Sequence, residues 1–294
     1  MTPRFTRYAV IDWSGAKGSR HKGIAVALCE TGDAVPRLQH PDGGGFWSRR
    51  AVADWLVRTA REAPTLFGFD FSFAPPYVAR QSYLPGDIVP TTAPAFWAYV
   101  DSICADEDLG AASLLEHTHR RHFYFGKADG IKADYMHNRA CEAHYNAQGG
   151  GKPSTVYDAI GAAQVAKASF AGMRFLRRLD GKVAIWPFDF AQGGRMDPLP
   201  DRGSAVVEIY TRIYLRRAGM TGRKLRSLAA LNEALTALGS RPARLRFEPN
   251  DHQTDALVTA AGMRQFAADE PRAFDPEGLT PEIARSEGWT FGIL

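Results

Sequence analysis

The first strand that the sequence predicts lies in the segment Tyr8-Ala-Val-Ile-Asp-Trp-Ser-Gly-Ala-Lys17. Residues 8–11 form an apolar run long enough for one short buried strand, and Asp12 ends that run with a carboxylate. The turn-prone residues 14–19 and a second apolar run at 24–29 complete a predicted hairpin. Because a buried carboxylate is costly without a partner, Asp12 either caps the turn that follows it or belongs to a functional site.

Two later segments repeat this placement of a carboxylate at the end of an element. Residues 65–69 form an apolar run that ends at Asp70, and residues 250–262 read as a helix with Asp255 in its first turn. Asn250 or Asp251 can cap that helix, and a cap suits Asp251 better than a ligand role does. Hard cations take carboxylate oxygens as ligands. The three aspartates therefore predict a divalent-metal site for Mg²⁺ or Mn²⁺.

The order of these features resembles the RNase H-like superfamily. The shared features are a hairpin with Asp12, a helix, a strand ending at Asp70, and His-x-x-Asp-Ala-Leu opening a late helix. The Holliday-junction resolvase branch is similar in placing a His or Asp three residues before the last Asp, here His252 and Asp255. An uncharacterised bacterial family of predicted nucleases, domain of unknown function 429, looks closer still. It shares Ile11-Asp-Trp-Ser-Gly15, Gly68-Phe-Asp70 and Asp255-Ala-Leu257, but it often has Pro after Glu-x-Tyr, where this chain has Thr211.

The resemblance implies an α/β fold with a mixed five-stranded sheet flanked by helices, in a single domain over residues 1–294. A helical insertion, rich in aromatic residues and histidine, is expected at residues 76–152, after the fourth strand. The implied activity is that of a metal-dependent nuclease, a hydrolase that cleaves phosphodiester bonds at a two-metal carboxylate site. Asp12, Asp70 and Asp255 would be its metal ligands and catalytic residues.

Two further residues are candidates for the same site. His252 could ligate a metal, position water, or be a solvent-exposed histidine in the first turn of its helix. Glu208 lies within the predicted strand 205–210, so it is either buried near the site or on a solvated strand face. It is a weaker candidate than the three aspartates.

A basic stretch at residues 211–247 indicates a polyanionic partner. It holds nine Lys or Arg and one acid, Glu233, a local balance of +8 in a chain of +4. Such a face would bind the phosphates of nucleic acid, either DNA or RNA, although solvated arginines on a helix would give the same pattern. Residues 120–125, Arg-Arg-His-Phe-Tyr-Phe, mix charge with stacking surfaces, as single-strand binders do and as a small aromatic core also would.

Other features bound the remaining possibilities. His137-x3-Cys141-x2-His144 has metal-ligand spacing, and a fourth ligand such as His117 or His122 would have to complete such a zinc site.

Three widely spaced cysteines predict reduced thiols and a cytoplasmic protein. No apolar run approaches the roughly 18 residues of a membrane helix. Helices are also predicted near residues 48–62, 158–179 and 225–238, and strands near 182–187 and 287–294. The pattern does not indicate the oligomeric state.

Two functions of other classes fit part of the sequence. In a nucleotide-binding phosphotransferase or ATPase of the actin-like type, residues 12–17 would form a phosphate loop with Lys17 on a phosphate oxygen. That architecture resembles two RNase H-like halves, and no second hairpin with an acid occurs in this chain. The third possibility is an RNase H-like binding module without catalytic turnover.

Overall fold

The computed structural model describes residues 4–151, 153–161, 165–192, 195–196 and 203–294. The strands are β1 Arg7–Asp12, β2 Ala25–Glu30, β3 Arg37–Gln39, β4 Thr65–Phe69, β5 Ala184–Ile185, β6 Ala191–Gln192, β7 Arg195–Met196, β8 Ala205–Ile209 and β9 Thr290–Phe291. The α-helices are α1 Arg49–Glu62, α2 Ala93–Ile103, α3 Ala140–Ala147, α4 Val165–Leu179, α5 Thr211–Arg217, α6 Leu228–Ala237, α7 Asp251–Asp269 and α8 Pro281–Ser286.

One mixed sheet contains seven of the strands in the described residues, in the order β3-β2-β1-β4-β8-β5, with β9 also paired to β8. Strands β1, β2 and β3 are antiparallel neighbours, whereas β1, β4 and β8 run parallel. Strand β5 pairs with the first half of β8, and β9 pairs with the second half. The prediction of five strands is therefore wrong for the whole sheet. Strands β5 and β9 lie within the segments 182–187 and 287–294 that the sequence predicts as strands, but they have two residues each.

Helices cover both faces of this sheet because side chains alternate along each strand. Ile11 and Phe69 belong to a core that includes residues of α1, α2 and α4. Val10 and Val207 belong to a second core that includes residues of α5, α6 and α7. The predicted α/β class is thus confirmed as two layers of helices around a central mixed sheet.

The helix boundaries follow from local capping. The hydroxyl of Ser48 accepts a hydrogen bond from the backbone N–H of Ala51 and begins α1. The side chain of Asn250 accepts from the backbone N–H of Gln253, whose side chain accepts from Asn250 in return, so α7 starts with a capping box. Asp251 is therefore not the cap. Helix α4 begins at Val165, and residues 162–164 of the predicted helix lie outside the described residues.

The segment 76–152 has less regular helix than predicted. It contains α2, α3 and several one-turn helices, and the rest is irregular; residue 152 lies outside the described part. Phe96, Trp97 and Phe123 are buried in the same core as Phe69 of β4. The segment therefore shares the hydrophobic core of the sheet.

Two further sequence predictions concern membrane helices and the state of the cysteines. No helix in the described part of the chain is long and apolar enough to cross a membrane. Cys29, Cys104 and Cys141 are all buried and form no disulfide, which agrees with the predicted reduced thiols.

Candidate active site

Asp12 and Asp70 end two neighbouring parallel strands. Strands β1 and β4 pair Val10 with Gly68 and Ile11 with Phe69, so the next positions along this register are Asp12 and Asp70. Adjacent strands lie about 4.8 Å apart. Alternation turns both carboxyls away from Ile11 and Phe69 and towards the face covered by α7. The predicted pairing of these two strand-end aspartates therefore follows from the register.

The third carboxyl reaches this point from α7. A Cβ on Gly68 would lie 2.9 Å from the Sδ atom of Met263 in α7, so the glycine permits a close approach of helix and strand. Asp255 lies near the N-terminal end of the same helix, and its charge raises the pKa of Asp12 and of Asp70. The structure thus brings the three predicted aspartates into one electrostatically coupled group.

All three carboxyls resist ionisation. Burial is the largest cause of the raised pKa of Asp12, followed by the charge of Asp255. Burial also raises the pKa of Asp70, with the charge of Asp12 next, while the N–H of Trp13 opposes the shift by donating a 2.7 Å hydrogen bond. Burial raises the pKa of Asp255 to about 6. The full negative charge of the group is therefore unfavourable without an added cation.

The described part of the chain supplies little positive charge to this group. No lysine or arginine there forms an ion pair with Asp12, Asp70 or Asp255, and the basic side chain in contact with the group is that of His252. Buried carboxylates are normally paired with a cation. An oxygen-only set of ligands without a resident cation is the chemistry that suits a hard divalent ion such as Mg²⁺.

His252 contacts the group directly. Its Nδ1 lies 2.8 Å from Oδ1 of Asp12, and its side chain is 50% exposed. A Cβ on Gly23 would lie 3.5 Å from Nε2 of His252, so the glycine keeps room beside that nitrogen. The ring is thus both solvent-accessible and fixed by an aspartate of the group. Whether His252 ligates a metal or positions water stays a prediction.

Glu208 lies on the other face of the sheet. It pairs with Phe69 in the parallel register of β4 and β8, so it points away from α7. The guanidinium of Arg139 donates to both of its oxygens, and the Thr290 hydroxyl and the backbone N–H of Phe73 add bonds of 2.8 Å each. These bonds occupy the carboxylate in a buried structural ion pair. We therefore do not include Glu208 among the proposed metal ligands.

Lys17 lies in the loop after Asp12, and its side chain is 65% exposed. Its ammonium donates a 2.8 Å bond to Glu116, and this bond raises the pKa of Lys17. A Cβ on Gly15 would lie 2.3 Å from the backbone N of Ala168, so the loop packs tightly on the start of α4. A role for Lys17 in nucleotide binding stays a prediction.

The proposed zinc spacing does not form a ligand cluster in the described residues. The Sγ atom of Cys141 lies 3.8 Å from the Thr290 hydroxyl, and Nε2 of His144 lies 2.8 Å from the carbonyl oxygen of Leu294. A different set, Asp87, His119 and His122, brings three ligand atoms within 4.8 Å of one another. Sequence reasoning missed it because Asp87 lies in an irregular loop, where no periodicity singles it out.

Acids from other segments neutralise part of the basic stretch. Arg217 pairs with Glu270, Arg241 with Asp33, and Lys224 with Asp251. Among described residues, five arginines of the stretch are exposed and form no ion pair: Arg212, Arg216, Arg226, Arg244 and Arg246. The last two stand beside Phe247, which is 50% exposed, in the loop that leads into α7. The accessible positive charge is therefore concentrated in fewer residues than the sequence predicts.

The chain matches no protein-family profile, no curated protein and no solved structure. The interpretation of the site therefore rests on its register, burial and electrostatics.

Proposed function

We propose that this protein is a divalent-metal-dependent nuclease with an RNase H-like fold. The observation that carries the proposal is the group of Asp12, Asp70 and Asp255, three coupled carboxyls whose pKa values are all raised. In the described residues no lysine or arginine lies within ion-pair distance of them, and the basic side chain that contacts the group is the half-exposed His252. A protein gains nothing in stability from such a group, so a bound cation is the simplest reason for it.

The strand order supports the fold assignment. An antiparallel β1–β2–β3 meander, a crossover through α1, and the parallel strands β4 and β8 match the order expected of an RNase H-like core. The carboxylates lie at the C-terminal ends of parallel strands, where open α/β sheets bind their ligands. In this assignment β5 and β9 extend the edge of the core beyond the five expected strands.

The three aspartates would hold Mg²⁺ or Mn²⁺ through oxygen atoms only, as these ions prefer. When bound, such ions lower the pKa of water and stabilise a leaving oxygen in phosphodiester hydrolysis. Trp13 would keep the Asp70 carboxyl oriented through its N–H, and His252 would do the same for Asp12. The accessible Nε2 of His252 can also exchange a proton with water or substrate.

The surroundings favour nucleic acid as substrate. Arg226, Arg244 and Arg246 supply cations for phosphates, and Phe247 supplies an exposed ring for base stacking. The loop that carries Arg244, Arg246 and Phe247 continues into the N-terminal part of α7, which holds His252 and Asp255. Phosphates bound by this loop would therefore lie close to the group of three aspartates.

The test is cleavage of labelled DNA, RNA and branched substrates in Mg²⁺ or Mn²⁺, with binding followed separately by fluorescence anisotropy. Asp12→Asn should abolish cleavage and leave binding intact, because the substitution removes a ligand charge but little volume. The matched control is Asp251→Asn, which makes the same substitution in the first turn of α7. The exposed carboxylate of Asp251 pairs with Lys224, and this variant should cleave as the wild type does. Absence of cleavage by the wild type on every substrate, or full cleavage by Asp12→Asn, would overturn the proposal.

A further inference from the structure

A second group of metal-binding side chains lies outside the aspartate site. Asp87 comes from an irregular loop. His119 caps the end of a short π-helix, Leu114–Thr118, and His122 ends the 3₁₀ turn Arg120–His122 that follows. The Oδ2 atom of Asp87 lies 2.9 Å from Nδ1 of His119 and 2.7 Å from Nε2 of His122. We propose that these three side chains form a binding site for a divalent transition-metal ion of the Zn²⁺ type. This proposal does not depend on the nuclease assignment.

The ligand set matches the chemistry of zinc. Two imidazole nitrogens and one carboxylate oxygen are borderline ligands, which suit Zn²⁺ better than Mg²⁺. Three protein ligands leave a fourth position for water. Tetrahedral coordination at about 2.0 Å would place the ligand atoms roughly 3.3 Å apart, so Oδ2 of Asp87 would have to move only about 0.5 Å from each histidine nitrogen. Small side-chain rotations are enough for that change.

The environment orients the ligands. The hydroxyl of Tyr99 lies 2.7 Å from Nε2 of His119, so the outer nitrogen of that ring has a partner while Nδ1 faces Asp87. Metal-bound histidines usually have such an outer hydrogen bond, which fixes the ring and its tautomer. Arg121 donates to Oδ1 of Asp87, which leaves the other oxygen for an ion. These contacts would hold the three ligands in position before an ion arrives.

Burial is graded across the group. The side chains of His119 and His122 are 8% and 9% exposed, and that of Asp87 is 22% exposed. The two imidazoles are thus largely removed from water, which favours metal coordination over hydration. The more exposed Asp87 side gives an ion a path from solvent, as a loadable site needs.

An ion here would join the loop of Asp87 to the segment of residues 114–122. That segment also carries Glu116, whose carboxylate accepts from Lys17 at 2.8 Å and lies 3.5 Å from the ammonium of Lys167. Lys17 belongs to the loop that follows Asp12. The ion would therefore stabilise an arrangement that borders the aspartate group, without being part of it.

The test uses the full chain, purified without a histidine tag and stripped with a chelator. Zn²⁺ is titrated in competition with a chromophoric chelator, and X-ray absorption of the zinc-loaded protein counts the imidazole ligands. The wild type should bind one Zn²⁺ with two imidazole ligands, and His122→Asn should bind it at least about 100-fold more weakly. His144→Asn, in a histidine that contacts the Leu294 carbonyl instead, is the control and should bind as the wild type does.

Tyr99→Phe keeps all three ligands and provides the test of Zn²⁺ binding if His122→Asn does not fold. It removes the outer hydrogen bond to His119 and should weaken Zn²⁺ binding by about 10- to 100-fold. The proposal is overturned by a wild type that does not bind Zn²⁺ stoichiometrically, by Zn²⁺ affinity that is unchanged in both His122→Asn and Tyr99→Phe, or by an equal loss of affinity in His144→Asn. A spectrum with sulfur ligands or without imidazole would also overturn it.

Discussion

The Nδ1 atom of His252 lies 2.8 Å from Oδ1 of Asp12, although 240 positions separate the two residues in sequence. This contact joins the N-terminal region of α7 to the end of β1. It fixes the histidine beside the carboxyl group while leaving half of the ring exposed. The histidine therefore has the geometry of a residue that orients a ligand and exchanges protons.

Replacement of His252 should separate these two roles. His252→Ala should lower kcat by about 10- to 100-fold, the usual cost of losing a residue that orients a metal ligand. His252→Gln keeps a hydrogen-bond donor near Asp12 but cannot exchange a proton in the same way. If orientation dominates, the glutamine variant recovers most of the rate and of the Mn²⁺ affinity. Unchanged kcat in both variants would remove His252 from the site.

Two buried carboxyls should respond oppositely to amide substitution. In metal-free protein at pH 7.5, Asp70→Asn should increase the free energy of unfolding by about 1 kcal/mol, because it removes a buried charge that no cation balances. For a chain of this size that is a rise in Tm of roughly 1.5–2 °C. Glu208→Gln should instead lower the free energy of unfolding by roughly 3 kcal/mol, since it removes one of the two buried carboxylates, Glu208 and Glu142, that balance Arg139.

Thermal and urea denaturation in the presence of chelator measure both effects. The comparison is matched, because both changes replace a buried carboxylate by an amide of nearly the same shape. If Asp70→Asn destabilised the protein as Glu208→Gln does, Asp70 would be a structural residue.

Stability and metal binding should depend on pH in opposite directions. Burial raises the pKa of Asp255 from 3.8 to about 6, so between those pH values the folded chain binds more protons than the unfolded chain. The Asp255 contribution to metal-free stability is therefore highest below about pH 4 and is lost as the pH rises through about 6. Over the same range Mg²⁺ affinity should rise, because the ion competes with that proton.

Calorimetric titration with Mg²⁺ at pH 5, 6 and 7.5, in buffers of different ionisation enthalpy, measures both the affinity and the protons released. Asp255→Asn should remove much of this pH dependence. A constant Mg²⁺ affinity across the range would contradict binding at this carboxyl group.

Three exposed arginines without acidic partners, Arg226, Arg244 and Arg246, should dominate nucleic-acid affinity. The combined Arg226→Ala, Arg244→Ala and Arg246→Ala variant should bind nucleic acid more weakly and with a shallower salt dependence, reduced by up to about three counterions. Arg217→Ala with Arg241→Ala is the comparison, since both residues pair with acids. Anisotropy titrations between low and moderate salt measure the slopes. Equal slopes in the two variants would show that phosphates bind elsewhere.

The sequence predicted the aspartate group because each member stands at the end of an element, where register and capping leave little freedom. Asp12 and Asp70 follow apolar runs, and Asp255 follows a helix cap, so one strand pairing and one packed helix bring them together. The class of fold was predictable for the same reason.

Other features could not be read from local pattern. Strands are predicted near β5 and β9, but their membership of the sheet depends on tertiary pairing with β8. The partner of Glu208 is Arg139, far away in sequence, although the alternation of β8 could have shown that Glu208 faces away from α7. The +8 of residues 211–247 is offset by acids such as Asp33 and Glu270, which only the fold brings near. Asp87 carries no signal until the fold places two histidines beside it.

Binding of Mn²⁺, measured by electron paramagnetic resonance, tests the shared aspartate site most directly. Metal-free wild type and Asp70→Asn are titrated side by side at pH 7.5. Because the two proteins share every other residue, Mn²⁺ bound at the histidine cluster cancels in the comparison. We expect the wild type to bind Mn²⁺ at least about tenfold more tightly than Asp70→Asn, since the substitution removes a ligand charge from the site. Equal Mn²⁺ binding by the two proteins would contradict a metal site formed by Asp12, Asp70 and Asp255.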